Sequence, residues 1–218
     1  RAPTLPGATA RQVYQVRAVR LDEDWPGIEA GFRKTTRQEL RKAAKAGVVI
    51  RELSSQEAAR IYYPMHLETY IRSGAEPHPR CYFEGIWEHC LGTGGCLVYC
   101  ASVGNEDVAV LNVGLTGRGS AWYWTGAATA RGLECRAGHL LQAHAMRDLQ
   151  GRGVGLYELG AIDGGADDPK LRGLATFKTG FGGQDAEATV SVLKVAKAAR
   201  LVGWARRGLK RLVGRGRT

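Results

Sequence analysis

The sequence contains no apolar run near the roughly 20 residues that a membrane-spanning helix requires. We therefore expect no transmembrane span. It also contains no Cys-x-x-Cys pair, and its five cysteines are an odd number. This pattern argues against a zinc site and favours reduced cysteines in a cytoplasmic protein, so we predict no bound metal. No internal repeat or low-complexity segment is present.

Acidic residues are scarce relative to basic ones. The 218-residue chain has 31 lysines and arginines against 21 acidic residues, a net charge of +10. Such a surplus attracts polyanions, such as nucleic acid, an anionic membrane surface or a phosphorylated substrate, although a basic surface can also serve solubility alone. The hydrophobic content of 44% is ordinary for a globular protein. The length suits one domain with a real core, with at most an appendage.

Hydrophobic periodicity and turn signals predict an α/β protein with a mixed sheet. A strand meander between helices, with a turn at Gly104-Asn105, would form the centre of the sheet. We expect Thr35 or Thr36 to cap a basic helix that stops at Gly47, and Pro64 to kink or split the next helix. The predicted strands cover residues 13–19, 48–53, 95–103, 107–116, 120–128, 155–160 and 185–195; the other helices cover 54–73, 80–91, 136–151 and 169–180.

Residues 157–183 form the most informative stretch. A short strand leads into a loop rich in glycine and aspartate, and Asp168-Pro169 then provides a cap and first turn for a helix. Late in this helix Lys178 sits between Phe177 and Phe181. A lysine near a helix C-terminus can simply snorkel towards water, where the helix dipole favours it. The alternative is a cation that faces a cleft and holds a developing negative charge.

Two blocks resemble the Fem-type (FemABX-like) peptidyltransferases. The first is Tyr-x-x-Gly, an acidic glycine loop and Gly-Leu-x-x-Phe-Lys-x-x-Phe-Gly-Gly, at 157–183. The second is the basic helix Arg-x-x-x-Arg-Lys-Ala-x-Lys-Ala-Gly at 37–47, followed by a strand. The resemblance covers roughly 30–195. It implies a GNAT-like acyltransferase domain with a central mixed, mostly antiparallel sheet flanked by helices. We expect one such domain at 1–195 and a basic C-terminal helix at 196–218.

The resemblance implies an aminoacyltransferase that moves an amino acid from aminoacyl-tRNA to an amine. The acceptor would be a peptide or small molecule, as in peptide-antibiotic or cell-wall precursor synthesis. An ester is already activated, so no cofactor is expected. Lys178 matches the family lysine and would stabilise the oxyanion or the ribose leaving group. Asp163 and Glu158 are the nearest candidates to orient the amine, whereas loop capping for Asp163 and a surface or paired carboxylate for Glu158 are the alternatives.

The other candidate residues fall into two groups. Aromatic residues that could line the substrate cleft are Phe177, Tyr123, Trp124 and Tyr157, although such residues often serve only as core. Basic residues that could hold tRNA phosphates are Arg37, Arg41, Lys42 and Lys45 in the basic helix and Arg206, Arg207, Lys210 and Arg211 near the C-terminus. Solvation alone could explain the first four. The C-terminal helix could instead dock on the domain or contact an anionic membrane peripherally.

Two rival functions remain open. An acyl-CoA-dependent N-acyltransferase of the same fold would need a glycine-rich pyrophosphate loop of the type Arg/Gln-x-x-Gly-x-Gly/Ala that opens a helix. Residues 131–133 and 151–155 do not fit that pattern, and the second set closes a helix. A non-enzymatic RNA- or membrane-binding module would explain the basic helices but offers no reason for the Phe177-Lys178 pair.

Overall fold

The computed structural model describes residues 10–162 and 168–192 of the chain, and in this part it is an α/β protein as predicted. The elements follow in the order β1 (Ala10–Arg20), α1 (Trp25–Ala30), α2 (Lys34–Lys45), β2 (Val48–Glu52), α3 (Ser55–Ser73), α4 (Arg80–Ile86), a π-helical turn (Trp87–Leu91), β3 (Cys96–Val103), β4 (Glu106–Leu115), β5 (Ser120–Ala128), α5 (Ala130–Glu134), α6 (Ala137–Gly151), β6 (Leu156–Ala161), α7 (Pro169–Thr179) and β7 (Gln184–Val192).

The described strands form one sheet in the order β2-β3-β4-β5-β6-β1-β7. The pairs β2/β3, β3/β4, β4/β5 and β1/β6 are antiparallel, and β5/β6 is parallel. The expectation of a mixed, mostly antiparallel sheet is therefore confirmed. The parallel pair is short, since it joins only Ser120–Trp122 to residues 156–158.

Apolar side chains cover both faces of the sheet. One core cluster lies beneath α1, α2 and α6, and the other lies beneath α3 and α4. Strand β3 shows how the two are divided, because Tyr99 and Ala101 belong to the first cluster whereas Val98 and Cys100 belong to the second. A central strand that is buried on both faces reads as a continuous apolar run, which is why 95–103 was easy to predict.

The capping residue predicted from the sequence is confirmed for α7 but not for α2. Asp168 caps α7, and its side chain accepts a hydrogen bond from the Lys170 amide. The prediction that Thr35 or Thr36 caps α2 is wrong. Arg33 occupies the cap position without a side-chain hydrogen bond, and its amide donates to the Gly180 carbonyl at 2.8 Å. This tertiary contact fixes the start of the helix earlier in the chain and leaves Thr36 buried inside it.

Helix α3 begins with a complete capping box between Ser54 and Glu57. Pro64 lies inside α3 but does not split it, because the helix continues to Ser73. No helix in the described part of the chain has the length and apolar character needed to cross a bilayer.

The chain divides into two compact units. Residues 15–186 form the larger one; residues 1–14 together with 187–218 form the other, in which 10–14 and 187–192 are described. The predicted domain boundary at 195 and the predicted C-terminal helix, with Arg206, Arg207, Lys210 and Arg211, lie outside the described residues and stay predictions.

Because α5 packs closely against β4, we expect one added methyl group at Gly132 to lower the stability of the fold strongly. A Cβ atom at Gly132 would lie 2.1 Å from the Val108 carbonyl oxygen, a backbone atom that cannot turn away. We expect Gly132→Ala to lower the free energy of unfolding by about 2 kcal/mol or more in urea denaturation. Gly85→Ala is the matched helical control, because nothing lies within 4 Å of its Cβ position, and it should be neutral or slightly stabilising. Equal effects of the two variants would contradict this packing.

Candidate active site

The central feature of the site is a gap in the sheet. Strands β5 and β6 pair only as far as Trp122 and Glu158, although β5 continues to Ala128 and β6 to Ala161. We call the unpaired region beyond these residues the sheet gap. A cleft of about 700 Å³, the main cleft, borders this gap and is lined by β5, the end of α3, the start of α6 and α7.

Lys178 reaches into the sheet gap from α7. Its side chain is buried, and Nζ donates a hydrogen bond to the Ala161 carbonyl oxygen at 2.8 Å. The Ile162 amide donates to Gln15 on β1, so the preceding residue, Ala161, points its carbonyl the other way, towards β5. The lysine therefore occupies the place where a continued β5 would supply a backbone donor.

Gly160 makes room for this ammonium group. Its φ of +81° lies in the left-handed region, and a Cβ atom at this position would lie 3.3 Å from Lys178 Nζ. The glycine of the Tyr-x-x-Gly pattern is thus explained by the lysine that it accommodates.

Burial and mutual attraction set the ionisation of Lys178 and Glu158. Burial lowers the pKa of Lys178, and the nearby Glu158 carboxylate partly offsets this by raising it. Burial likewise raises the pKa of Glu158, against a smaller opposite effect from Lys178. The structure therefore brings together two of the three predicted catalytic residues, whereas Asp163 lies outside the described residues. An acid and a base whose pKa values are both shifted towards neutrality suit proton transfer.

Aromatic side chains form one side of the main cleft. Phe177, Tyr123 and Trp124 all line it, as their proposed role requires. Tyr123 packs against the core cluster beneath α6 and Trp124 against the cluster beneath α3, so the two side chains lie on opposite faces of the sheet even though a bulge lies beside them. Asn112 pairs with Thr125 and Val113 with Tyr123, which leaves Trp124 without a partner on β4. Both aromatic side chains border the main cleft because the sheet is open between β5 and β6 at this point, so that the cleft reaches both faces.

Neighbouring residues hold these aromatic side chains in place. Trp124 Nε1 donates to the Tyr82 hydroxyl at 2.8 Å, and Phe177 packs edge-on against His139, with ring centroids 4.9 Å apart. Burial raises the pKa of Tyr123 to about 12, so its hydroxyl stays protonated at neutral pH.

Tyr157 lies beneath the main cleft rather than along it. It is fully buried, and its hydroxyl donates to Gln142 Oε1 at 2.9 Å. Gln142, together with Gly138 and His139 at the start of α6, lines the cleft. Our sequence reasoning missed Gln142 as a site residue. The available signal was a lone amide in an apolar helical run, Leu140-Leu141-Gln142-Ala143, and that signal is weak.

The four cations of α2 have different surroundings. Arg37 donates to the backbone carbonyls of Ala30 and Phe32, so it braces the turn between α1 and α2. Lys42 forms an ion pair with Glu39 at 2.7 Å. Arg41 and Lys45 are exposed, and neither has a hydrogen-bond or ion-pair partner among the described residues.

A second cleft, the arginine cleft, lies between α1, α2, β2 and α6 and has a volume of about 510 Å³. Arg37 and Arg41 line it together with Arg147, whose guanidinium lies 5.7 Å from the centroid of the Trp25 ring. The sequence reasoning had not included Arg147, which lies 106 residues after Arg41 in the chain and joins it only through packing of α2 on α6.

The electrostatic pairing in the sheet gap gives a signed prediction. Because the Glu158 carboxylate raises the pKa of Lys178, Glu158→Gln should lower that pKa further below the ordinary lysine value. Nitrogen-15 NMR of the lysine Nζ groups during a pH titration measures it directly. Glu84→Gln, which removes an exposed carboxylate paired with Arg80, serves as the control and should leave Lys178 unchanged. A rise or no change in the Lys178 midpoint in Glu158→Gln would contradict the pairing.

The chain is similar to known proteins in its fold and in its match to one family model. No curated protein shows a significant sequence match to the chain. Similar solved structures include FemX (TM-score 0.71, 13% identity, covering 86% of this chain and 63% of that chain). They also include the C-terminal domain of a putative lysylphosphatidylglycerol synthetase from Agrobacterium fabrum (0.61, 17%, 92% and 66%) and L-PGS from Bacillus licheniformis (0.55, 11%, 90% and 66%).

The TM-scores show a shared fold, and at identities this low they show the fold alone. The chain spans less than two thirds of each of these structures. The sequence itself matches the family model described as an acetyltransferase (GNAT) domain over residues 30–178. That match covers more than half of the chain and includes both strands of the sheet gap and Lys178. The protein therefore belongs to the family described as the acetyltransferase (GNAT) domain.

Proposed function

We propose that this acyltransferase moves an amino acid from aminoacyl-tRNA to the amine of a peptide or small-molecule acceptor. The observation that carries the proposal is Lys178, a buried cation held in the sheet gap beside an aromatic cleft wall. A buried lysine costs free energy unless it has a task or a partner. Among the described residues its ammonium group donates only to Ala161, which leaves two N–H groups for a ligand.

The reaction is aminolysis of an ester. The acceptor nitrogen attacks the ester carbonyl, the new C–N bond forms, and the bond to the ribose oxygen breaks. The amine loses one proton and the ribose oxygen gains one. Lys178 can donate to the departing oxygen, and its lowered pKa makes that donation easier. Glu158, with its raised pKa, is the carboxylate that interacts with Lys178 and would orient the amine and accept its proton.

The charge distribution supports a polyanionic donor. The net charge is +10, and Arg41, Lys45 and Arg147 lie on the α2 and α6 surfaces, where they can contact a phosphate backbone. The aromatic wall of the main cleft offers faces on which an unpaired base of single-stranded RNA can stack. Arg37 and Lys42 would contribute less, because their donors already serve protein carbonyl or carboxylate groups.

The names of two similar structures support this proposal. FemX carries the name of the Fem-type family that the sequence resembles, and the name of the putative lysylphosphatidylglycerol synthetase describes an aminoacylated product. We do not assign the acceptor beyond an amine-bearing peptide or small molecule, of the kind used in peptide-antibiotic or cell-wall precursor synthesis.

An acyl-CoA donor is the second candidate, and one observation favours it. Helix α6 begins at the main cleft, where Gly138 and His139 line the cavity, and its cap residue Arg136 makes no side-chain hydrogen bond to the helix. Backbone amides at a helix N-terminus can hold a phosphate group. The match to an acetyltransferase family model is consistent with the same donor.

A variant without the Lys178 amine tests whether this residue acts in catalysis rather than in tRNA binding. We expect Lys178→Ala to lower transfer by at least about 100-fold, because a donor to the developing charge is lost. The affinity for tRNA should stay within about twofold, since phosphate contacts on α2 and α6 are untouched. The assay follows release of labelled amino acid from charged tRNA to hydroxylamine, a small acceptor amine, after subtraction of the uncatalysed rate.

Lys34→Ala removes an exposed lysine from α2 and is the control, with an unchanged transfer rate. Thermal unfolding of each variant establishes that the fold persists. Equal loss of transfer and tRNA affinity in Lys178→Ala would rule out the catalytic role.

A further inference from the structure

Gln142 is a buried amide whose nitrogen has no acceptor among the residues that the structure describes. The residue is only 2% exposed. Its oxygen accepts a hydrogen bond from Tyr157, but its Nε2 group donates to no residue in the described part of the chain. Nε2 is nevertheless accessible from the main cleft. Gln142 lines this cleft, and its Nε2 is not one of the fully buried polar atoms that lack a hydrogen-bond partner.

Tyr157 determines which way this amide points. The tyrosine is fully buried, and burial raises its pKa, so its hydroxyl keeps its proton and acts as a donor. A donating hydroxyl selects the oxygen of the Gln142 amide as its acceptor at 2.9 Å. The NH₂ group must then lie on the other side of the amide, away from Tyr157.

Another glutamine of the same helix shows the contrast. Gln150 lies two turns further along α6, and its Nε2 donates to the backbone carbonyls of Leu21 and Glu23. Gln150 is thus satisfied by the protein itself. Gln142 has the same side chain on the same helix, but its donors are open to the main cleft, where a ligand oxygen can accept from them.

We propose that the Gln142 amide donates to the carbonyl oxygen of the acyl group in the main cleft, with Tyr157 as the positioning residue that fixes the amide. This inference rests on the acyl transfer proposed above and holds for either donor, an ester or a thioester. In this arrangement Gln142 and Lys178 bind different atoms of the reacting group. Gln142 holds the oxygen that becomes the oxyanion, and Lys178 serves the departing ribose oxygen or sulfur.

The test compares ligands with and without the carbonyl oxygen. One pair is adenosine 3′-O-alanyl ester and its 3′-O-(2-aminopropyl) ether, and the other pair is acetyl-CoA and S-ethyl-CoA. In each pair a methylene group replaces the carbonyl. Calorimetric titration at pH 6, where the ester persists, gives the affinity of the wild-type protein and of each variant for all four ligands.

Gln142→Met keeps the length of the side chain and removes the donor. We expect it to weaken the carbonyl-bearing ligand about fivefold to tenfold and to leave the methylene ligand within about twofold. Tyr157→Phe should weaken the carbonyl-bearing ligand about twofold to threefold, because the amide loses the contact that orients it. Gln150→Met, the matched control, should change neither ligand of a pair.

Three results would overturn the proposal: equal weakening of both members of a pair by Gln142→Met, no weakening of either, or no preference of the wild-type protein for the carbonyl. If Gln142→Met fails to fold because the Tyr157 hydroxyl is left unpaired, the double variant Gln142→Met/Tyr157→Phe removes both groups and gives the same comparison. Which pair binds reports on the donor separately. Tighter binding of the thioester pair than of the ester pair would therefore argue against tRNA as the donor, and the proposed role of Gln142 would be unaffected.

Discussion

The backbone of a sheet must be satisfied wherever a strand loses its neighbour, and this constraint organises the protein. Strand β6 continues past Glu158 without β5 beside it, so the Ala161 carbonyl faces an open cleft. The ammonium group of Lys178 takes the missing donor's place. One gap in the ladder therefore creates the main cleft and places a cation in it. The left-handed φ of Gly160 favours glycine beside that cation.

The described site combines three kinds of chemistry around that gap. Lys178 from α7 supplies a positive charge with a lowered pKa, and Glu158 from β6 supplies a carboxylate with a raised one. Aromatic side chains from β5 and α7 provide a wall for a flat or apolar part of a substrate. The arginine cleft lies between α2 and α6 and is suited to binding an anion rather than to the reaction itself. Together these features suit acyl transfer from a donor that carries phosphate.

Much of the fold could be predicted from the sequence, because the patterns that specify strands, helices and caps are local. Strand β5 was predicted at its observed bounds, and α7 was predicted from Asp168 and Pro169 at its start. Lys178 and Phe177 were identified through a family resemblance, since spacing alone left a snorkelling lysine as a fair alternative. The structure places Lys178 in the gap, where it is buried rather than exposed.

The features that escaped prediction depend on contacts between distant residues. The bulge that leaves Trp124 unpaired depends on the register of β4, and the start of α2 depends on a hydrogen bond from Arg33 to Gly180. Gln142 became a candidate only when Tyr157 was seen to occupy its oxygen. Sequence periodicity carries no information about such pairings.

A binding titration distinguishes the proposed donor, a charged tRNA, from an acyl-CoA. Purified protein is titrated with aminoacyl-tRNA, deacylated tRNA and acetyl-CoA at two salt concentrations. We expect salt-sensitive binding of tRNA that is tighter when the tRNA is charged, because phosphate contacts and the acyl group both contribute. Binding of acetyl-CoA alone would contradict it and would identify the protein as an acyl-CoA-dependent enzyme.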